Sequence, residues 1–292
     1  MLTAPGDEPW DSWHTIRRVN PLVMHNATLR KTILRERDDA RRDESQRPAF
    51  QAYRLNRQVE VYKDMLISVD AWRRVETREV PRRESRPIVG LDLGAERSWS
   101  AAWALWPNGR SECYAVCPGI PDLAERERQD GAPRGLYRRL EADGVLIVDD
   151  GVRVSRPSTL IDHLLHEGIN PKTIYCDRFA LGTLKDAVAG RWPVVPRVTR
   201  WSEATEDITG FRRLVADGPL SIVPECRALA RVALSQAVVH SDDQGSVRLT
   251  KRRHGRSRDD VAVGGVLACG ALARSLTRGP ARPLAIKMHV VR

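Results

Sequence analysis

IVGLDLGAERSWSAAWAL, residues 88–105, contains two apolar runs of strand length, and the first of them includes one acidic residue. The residues before Asp92 are typical of a buried central strand, and the apolar run that follows is typical of a second strand. We therefore predict strands over residues 88–93 and 98–106. A lone carboxylate in a buried strand costs several kcal/mol unless a partner compensates its charge. Asp92 is therefore the first candidate for a functional residue, and the partner that we expect is a metal ion.

The chain after this stretch alternates between predicted strands and helices. The short PNG turn at residues 107–109 predicts that the first three strands form antiparallel hairpins. Further along, apolar runs of strand length separate segments of helical periodicity. The predicted elements are a third strand at 112–117, helices within 121–142, a hairpin at 144–154, a helix at 159–167, a strand at 172–177, a helix at 180–189, a strand at 193–198, helices at 206–216 and 225–236, a hairpin at 237–250 and a last helix at 260–276. This order predicts an α/β fold with helices flanking a mixed sheet.

The region before residue 87 differs from the rest of the chain. In residues 1–86, dense mixed charge surrounds only a thin apolar stripe of helical period. We predict that this helical region has no core of its own and leans on another part of the protein. TREVPRRESRP, residues 77–87, is typical of a linker. The predicted organisation is thus a helical region over 1–86, an α/β domain over 87–278 and a flexible tail over 279–292.

The composition narrows the class of protein. With 292 residues, of which 41% are hydrophobic and 29% charged, the chain is typical of a globular protein with one sizeable domain and an appendage. Five cysteines without a CxxC pair argue against a disulfide framework or a zinc site. No signal peptide pattern and no apolar run of about 18 residues is present, which favours a cytoplasmic protein. The net charge of +10 indicates a polyanionic partner only weakly, because an arginine-rich codon usage has the same effect.

Acidic residues stand at the ends of three predicted elements. Asp92 lies in the first strand, Asp177 ends the strand TIYCD, and Asp259 and Asp260 open the last helix. That helix is rich in glycine and alanine, so it can pack closely on a sheet and bring its first carboxylates near those of the strands. Gathered carboxylates raise each other's pKa, and a divalent cation such as Mg²⁺ or Mn²⁺ removes that penalty. Two ions about 4 Å apart suit the displacement of a phosphodiester oxygen.

Each of these acids also has a plainer interpretation. Asp259 or Asp260 could serve as a helix cap, since aspartate is common at that position. Asp177 could end its strand in a turn with no further role. Asp92 is the hardest of the set to explain without a ligand.

A basic segment directly precedes the last helix. RLTKRRHGRSR, residues 248–258, lies between a predicted hairpin strand and the acidic helix start, where a DNA backbone could be bound. The alternative interpretation is a solvated charged loop. The predicted DNA-binding residues are Lys251, Arg252, Arg253, His254, Arg256 and Arg258.

Three motifs together resemble a known family. VGLDLG, IYCDRF and VRLTKRRHGRSRDDVAVGGVLACGAL are similar to the acidic motifs of the nuclease domain in the large terminase subunit of tailed bacteriophages. GFRRLVADGPLSIV and the N-terminal segments NPLVMHNATLRKTIL, RPAFQAYRLNRQV and ISVDAW extend the resemblance over nearly the whole chain. The resemblance implies an RNase H-like fold. It also implies that Asp92, Asp177 and Asp260 are the catalytic metal ligands, with Asp259 as a supporting ligand or a cap.

The family resemblance further implies an activity. We expect a metal-dependent endonuclease that cuts concatemeric viral DNA during packaging, with two Mg²⁺ or Mn²⁺ ions, in the cytoplasm of the bacterial host. The implied partners are double-stranded DNA, a small terminase subunit, a portal protein and a separate packaging ATPase. Large terminases also carry an ATPase, but nothing in this chain matches GxxxxGK[ST]. A truncated gene, a split gene or an independent nuclease would each account for that difference.

Other classes of protein share parts of this pattern. GLDLGAERS also resembles the first phosphate loop of the actin and sugar-kinase superfamily, although YCDRF lacks the glycine that the second loop needs. A Holliday-junction resolvase or integrase-like enzyme has the same RNase H-like fold, and selective cutting of branched DNA would distinguish it. A catalytically inactive DNA-packaging subunit is a third alternative, against which the intact acids argue.

Overall fold

The chain forms two compact units, residues 1–64 and 65–292. The computed structural model describes residues 3–4, 8–42, 47–57, 65–94, 98–197, 200–242, 244–250 and 258–278. The helices of the first unit are α1 (Trp13–Val19), α2 (Ala27–Arg42) and α3 (Arg47–Leu55). The elements of the second unit are α4 (Val69–Thr77), β1 (Ile88–Asp92), β2 (Ser100–Leu105), β3 (Arg110–Pro118), α5 (Leu123–Asp130), α6 (Leu136–Ala142), β4 (Leu146–Asp149), α7 (Pro157–His166), β5 (Thr173–Asp177), α8 (Leu181–Val188), β6 (Val194–Arg197), α9 (Trp201–Ala216), β7 (Ser221–Ile222), α10 (Arg227–Gln236), β8 (Val238–Ser241), β9 (Val247–Thr250) and α11 (Asp260–Arg278). The predicted tail, 279–292, lies outside the described residues.

The first unit has a small apolar core of its own. Ile16, Val23, Ile33, Phe50 and Leu55 are all buried in one cluster that draws on its three helices. The prediction that this region has no core of its own is therefore wrong. The stripe is thin on each helix, but three short helices together enclose enough apolar surface to exclude water.

The boundary between the units differs from the predicted one at residues 86 and 87. Residues 65–86 belong to the second unit, because Trp72 and Val75 on α4 are buried in its core. Arg78, which follows α4, also donates a hydrogen bond of 2.9 Å to the carbonyl of Leu220. Prolines and charges near residue 80 are typical of a linker, but here that segment lies on the domain surface and is tied down by long-range contacts.

The second unit is built on a mixed sheet in which β1 is central. The strand order is β4-β3-β2-β1-β5-β6, with β7 paired to β3. β1 is antiparallel to β2 and parallel to β5, and β2 and β3 continue the predicted hairpins. Gly109 in the PNG turn has a φ of 91°, a conformation that glycine adopts without strain. The prediction of a mixed sheet in an α/β fold is confirmed.

The predicted hairpin at residues 144–154 is not formed. β4 is a single strand, parallel to β3, and the chain leaves the sheet after Asp149. The buried Asp149 carboxylate accepts hydrogen bonds from the backbone N–H and the guanidinium of Arg156, and this holds the chain in a turn. Because these bonds hold the chain in a turn after β4, no second strand forms to pair with β4 as a hairpin.

Helices cover both faces of the sheet. One face packs against α4, α9, α10 and α11, and the other packs against α7 and α8. Strand residues alternate between these two cores as the period of two requires. Val89 and Leu91 of β1 belong to the core beneath α7 and α8. Gly90 and Asp92 therefore point to the face that α11 covers.

α11 lies unusually close to the sheet. A Cβ atom added to Gly90 would lie 1.9 Å from the carbonyl oxygen of Gly264 on α11. Gly264 and Gly265 likewise leave space for β2, where the Trp103 ring packs against the helix. The small residues of the last helix thus permit the close approach that the sequence predicts.

α11 is also apolar enough to cross a membrane by length and composition alone. In this fold, 67% of its segment Asp260–Thr277 is buried inside the protein. The helix packs on the central strands, and this contact accounts for its apolar character.

A buried ion cluster makes the stability of the second unit sensitive to acid. Glu112 on β3 accepts hydrogen bonds from Arg83, Arg110 and Tyr114, and its side chain is 1% exposed. Burial raises the pKa of Glu112, but the two guanidiniums outweigh it and hold the pKa below its ordinary value. The stability from this cluster is therefore fully present above the ordinary pKa of glutamate and is lost as the pH falls through the lower value of the folded protein.

Glu112→Gln is expected to lower the free energy of unfolding at pH 7 by about 3 kcal/mol, because it leaves two guanidiniums without a buried charge partner. The variant is also expected to lose less further stability than the parent between about pH 5 and pH 3. Urea unfolding followed by circular dichroism at each pH measures both effects. Glu125→Gln, in a more exposed pair with Arg128, is the matched control and is expected to change stability by less than about 1 kcal/mol. An equal acid response of the Glu112 variant and its parent would refute this account.

Candidate functional site

Asp92 and Asp177 lie side by side at one edge of the sheet. The parallel pairing of β1 and β5 places Leu91 opposite Cys176, so the next residues along the two strands are the two aspartates. Neighbouring strands lie about 4.8 Å apart, so their carboxylates share one small region. Both side chains are half-buried. The sequence expectation that these two acids meet is supported by this register.

A cavity of about 440 Å³ opens at this edge, and both aspartates line it. α11 contributes an apolar wall, α9 and β6 contribute charged side chains, and β9 closes another side. The lining residues are Asp92, Asp177, Arg197, Ala204, Asp207, Ile208, Arg248, Leu249, Thr250, Val263, Val266 and Leu267. The cavity therefore combines acidic and basic groups with an apolar wall.

The carboxylate of Asp177 is held in place by its own backbone. Asp177 caps a single turn of 3₁₀ helix at Arg178–Ala180, and its Oδ1 accepts a hydrogen bond of 2.7 Å from the N–H of Phe179. This confirms that Asp177 ends its strand in a turn, but the side chain also lines the cavity. The cap fixes one oxygen and so orients the carboxylate.

Cys176, next to Asp177, is fully buried on the opposite face of β5. Burial raises the pKa of its thiol to about 11, so the reactive thiolate is scarce at neutral pH. The cysteine fills space between the sheet and the helices and offers no nucleophile to the cavity.

Asp259 and Asp260 are buried at the start of α11, each with 2% of its surface exposed. Neither lines the cavity that holds Asp92 and Asp177. The carbonyl of Asp259 accepts the N–H of Val263, which places Asp259 at the helix cap. Its Oδ1 is buried and has no hydrogen-bond partner among the described residues. Asp92 and Asp177 thus line one cavity, while Asp259 and Asp260 are buried at the start of α11, the helix whose Val263 lines the same cavity.

The basic segment is described only at its two ends. Lys251, Arg252, Arg253, His254 and Arg256 lie outside the described residues, so their role in DNA binding stays a prediction.

Arg258 does not occupy the surface position that DNA binding needs. It is 6% exposed, its Nε donates a hydrogen bond of 2.7 Å to Asp130, and its guanidinium lies 5.7 Å from the centre of the Trp99 ring. The N–H of Arg258 also donates to Gln236. Its charge is compensated inside the protein, so Arg258 anchors the start of α11 and is removed from the predicted DNA-binding set.

A buried ion cluster beside the cavity was missed by the sequence analysis. Asp207 on α9 is 3% exposed and lines the cavity, and it binds the guanidiniums of Arg197 and Arg274. Burial raises the pKa of Asp207, although both guanidiniums act in the opposite direction. One signal was present in the sequence, because Asp207 falls on the apolar face of α9 together with Ile208 and Phe211.

The donors around the cavity fit a hard divalent cation. Mg²⁺ is usually held by one or two carboxylates while it keeps several water ligands, and Asp92 and Asp177 supply such a pair. The unpartnered buried oxygen of Asp259 is a further acceptor close to the start of α11. In the described part of the chain, three such ligand atoms within 4.8 Å of one another occur only at the end of α7, at His163, His166 and the following Glu167. The two aspartates by themselves do not complete such a group, so an ion beside them needs further oxygen ligands from water, substrate or the start of α11.

Comparison with known proteins identifies the fold. The sequence matches no protein-family model and no curated protein. The structure is similar to the large terminase of bacteriophage HK97, with a TM-score of 0.59 and 22% sequence identity over 93% of this chain and 56% of that chain. The large terminase nuclease from the thermophilic phage G20c matches with a TM-score of 0.44 and 13% identity, over 70% of this chain and 97% of that chain.

The protein therefore shares the fold of the matched part of that large terminase, and the predicted RNase H-like α/β class is confirmed. The chain spans about half the length of the HK97 protein, namely the 56% that the match covers. The identity of 22% supports a common fold. Activity, substrate and partners are inferred below from the site.

Proposed function

We propose that this protein is a divalent-metal-dependent DNA endonuclease of the large terminase type. The observation that carries the proposal is the pair Asp92 and Asp177, which end adjacent parallel strands and line one cavity. Two carboxylates in one partly buried site repel each other, and a divalent cation between them removes that cost. The second support for the proposal is the similarity of the fold to a large terminase.

Asp92 and Asp177 would hold the metal, with one or two Mg²⁺ or Mn²⁺ ions, and Asp260 and Asp259 would supply further ligands from the start of α11. A bound divalent ion lowers the pKa of water and stabilises the charge that develops on a phosphodiester. The protein's own residues orient the ligands. The hydrogen bond from the Phe179 N–H fixes the Asp177 carboxylate, and Gly90 allows α11 to approach the strand of Asp92. No protein nucleophile is needed, in agreement with the inert Cys176.

The substrate in this proposal is double-stranded DNA. A net charge of +10 favours a polyanion, and the DNA affinity is expected to fall steeply with salt concentration. We further propose that the protein acts in the cytoplasm of a bacterial host during packaging of phage DNA, together with a small terminase subunit, a portal protein and a packaging ATPase. Contacts to the phosphate backbone through the segment from Lys251 to Arg256 would give little sequence preference.

Cleavage of supercoiled plasmid tests the proposal directly. The purified chain is expected to nick and linearise plasmid with Mn²⁺ or Mg²⁺ and to lose this activity in excess EDTA. Gel electrophoresis of a time course measures the rates of both steps. Re-addition of the metal after EDTA is expected to restore cutting, which distinguishes loss of the ion from denaturation.

A branched DNA junction is the matched alternative substrate. Equal or faster cutting of linear duplex supports the terminase type, whereas cutting confined to the junction would favour a resolvase on the same fold. A folded protein that binds duplex DNA but cuts neither substrate with either metal would refute the endonuclease and favour an inactive packaging subunit.

A further inference from the structure

The two arginines of the cavity have different environments. Arg197 contacts three carboxylates, with distances of 3.1 Å to Asp207, 3.0 Å to Glu206 and 3.5 Å to Glu203. Each nitrogen of its guanidinium thus lies within 3.5 Å of a carboxylate, so Arg197 links β6 to α9. Arg248 on β9 lines the same cavity but has no carboxylate partner among the described residues. Among the described residues of the cavity lining, Arg248 is thus the cation that is available to bind an anionic ligand.

The position of Arg248 is set by an aromatic ring. Its guanidinium carbon lies 4.4 Å from the centre of the Trp201 ring, which is the geometry of a cation–π contact. Trp201 is the first residue of α9, and His240 packs against it with ring centres 5.7 Å apart. His240 is the cross-strand partner of Arg248 in the β8–β9 hairpin. The hairpin and α9 therefore hold this exposed arginine by stacking, a contact that leaves its N–H donors available at the edge of the fork.

An oriented guanidinium beside two aspartates has a specific chemical use. A planar fork binds the oxygens of a phosphate in a bidentate manner, and stacking lowers the conformational entropy that is lost when the phosphate binds. The aspartates repel a phosphate, whereas Arg248, in the lining of the same cavity, attracts it.

We propose that Arg248, held by Trp201, binds a backbone phosphate of the DNA strand that enters the Asp92–Asp177 cavity. Trp201 is then a positioning residue that acts through Arg248. This inference rests on the proposed function and assigns its substrate contact to a described side chain outside the 251–257 segment.

The salt dependence of duplex binding tests this contact without any cleavage. A fluorescent duplex of about 30 base pairs is titrated with the full chain in EDTA at several salt concentrations. Loss of one phosphate contact reduces the slope of log affinity against log salt by about 0.9. Arg248→Gln is expected to show this reduction and to bind the duplex about tenfold more weakly at low salt. Arg213→Gln removes the same charge from an exposed position on α9 and is expected to leave the slope unchanged.

Two further variants separate the roles of the charge and of the ring. Trp201→Ala is expected to weaken binding about threefold, while Trp201→Phe keeps a stacking surface and is expected to bind like the parent. Arg248→Lys keeps the charge without the fork and is expected to retain the slope with weaker binding. In plasmid cleavage, Arg248→Gln is expected to raise KM more than it lowers kcat, because the phosphate contact exists before the reaction.

An unchanged slope for Arg248→Gln in a folded variant, while the parent binds and cuts DNA, would overturn this assignment and leave the proposed function intact. Equal effects of Arg248→Gln and Arg213→Gln would also overturn it, because net charge alone would then explain both. A parent chain that neither binds duplex nor cuts plasmid would overturn the assignment together with the proposed function.

Discussion

Asp92→Asn is expected to abolish DNA cleavage, with kcat lowered by about a thousandfold or more. The substitution keeps the size of the side chain but removes the negative charge that the carboxylate offers to a divalent ion beside Asp177. A metal ion supplies several kcal/mol of transition-state stabilisation, and each 1.4 kcal/mol is about a factor of ten in rate. Plasmid linearisation in Mn²⁺, measured over several hours, has the range to detect the loss. Asp177→Asn is expected to act in the same way.

Asp186→Asn is the matched control, because Asp186 is exposed on α8, on the other face of the sheet. It is expected to cut plasmid at the parental rate. Thermal unfolding of all three variants separates loss of the metal site from loss of the fold. Cleavage by Asp92→Asn within threefold of the parental rate would show that the chemistry lies elsewhere in the chain.

Gly90→Ala is expected to destabilise the second unit by about 3 kcal/mol or more, enough to unfold a marginal domain. The added methyl group would overlap the Gly264 carbonyl oxygen at 1.9 Å and the N–H of Ala268 at 2.8 Å, so α11 has to move away from β1. Backbone atoms of a buried helix cannot rotate aside as a side chain does, and overpacking in a core is costly. Urea unfolding gives the change in the free energy of unfolding, and any folded fraction is expected to cut DNA poorly.

Gly182→Ala is the matched control in the same unit. A Cβ atom at this position of α8 would meet nothing within 4 Å, and alanine favours a helix over glycine by up to about 1 kcal/mol. This variant is therefore expected to be as stable as the parent or slightly more stable. If Gly90→Ala unfolds within about 1 kcal/mol of the parent, the close packing of α11 on β1 is not essential to the fold.

The strands that carry Asp92 and Asp177 could be predicted from the sequence, because each depends on an apolar run of a few residues. The sequence predicted that these acids gather, from the close packing of the last helix on the sheet. The parallel pairing of β1 with β5, which sets their register, came from the structure. The close-packed α11 was visible in its glycines and alanines. The α/β class needs no more than this order of short patterns, which is why these parts of the fold agree with the structure.

Which distant charges meet could be seen only in the folded structure. Arg258 was assigned to DNA by its basic neighbours, yet it is bound to Asp130, 128 residues earlier in the chain. Asp207 is compensated by Arg274, 67 residues later, and so becomes a buried part of the cavity wall. The sequence around a charged residue does not predict its ion-pair partner, because the partner is distant in the chain and depends on how the helices and strands pack. Periodicity in the sequence determined where the chain is buried, and packing between remote segments determined which of its charges are left for a ligand.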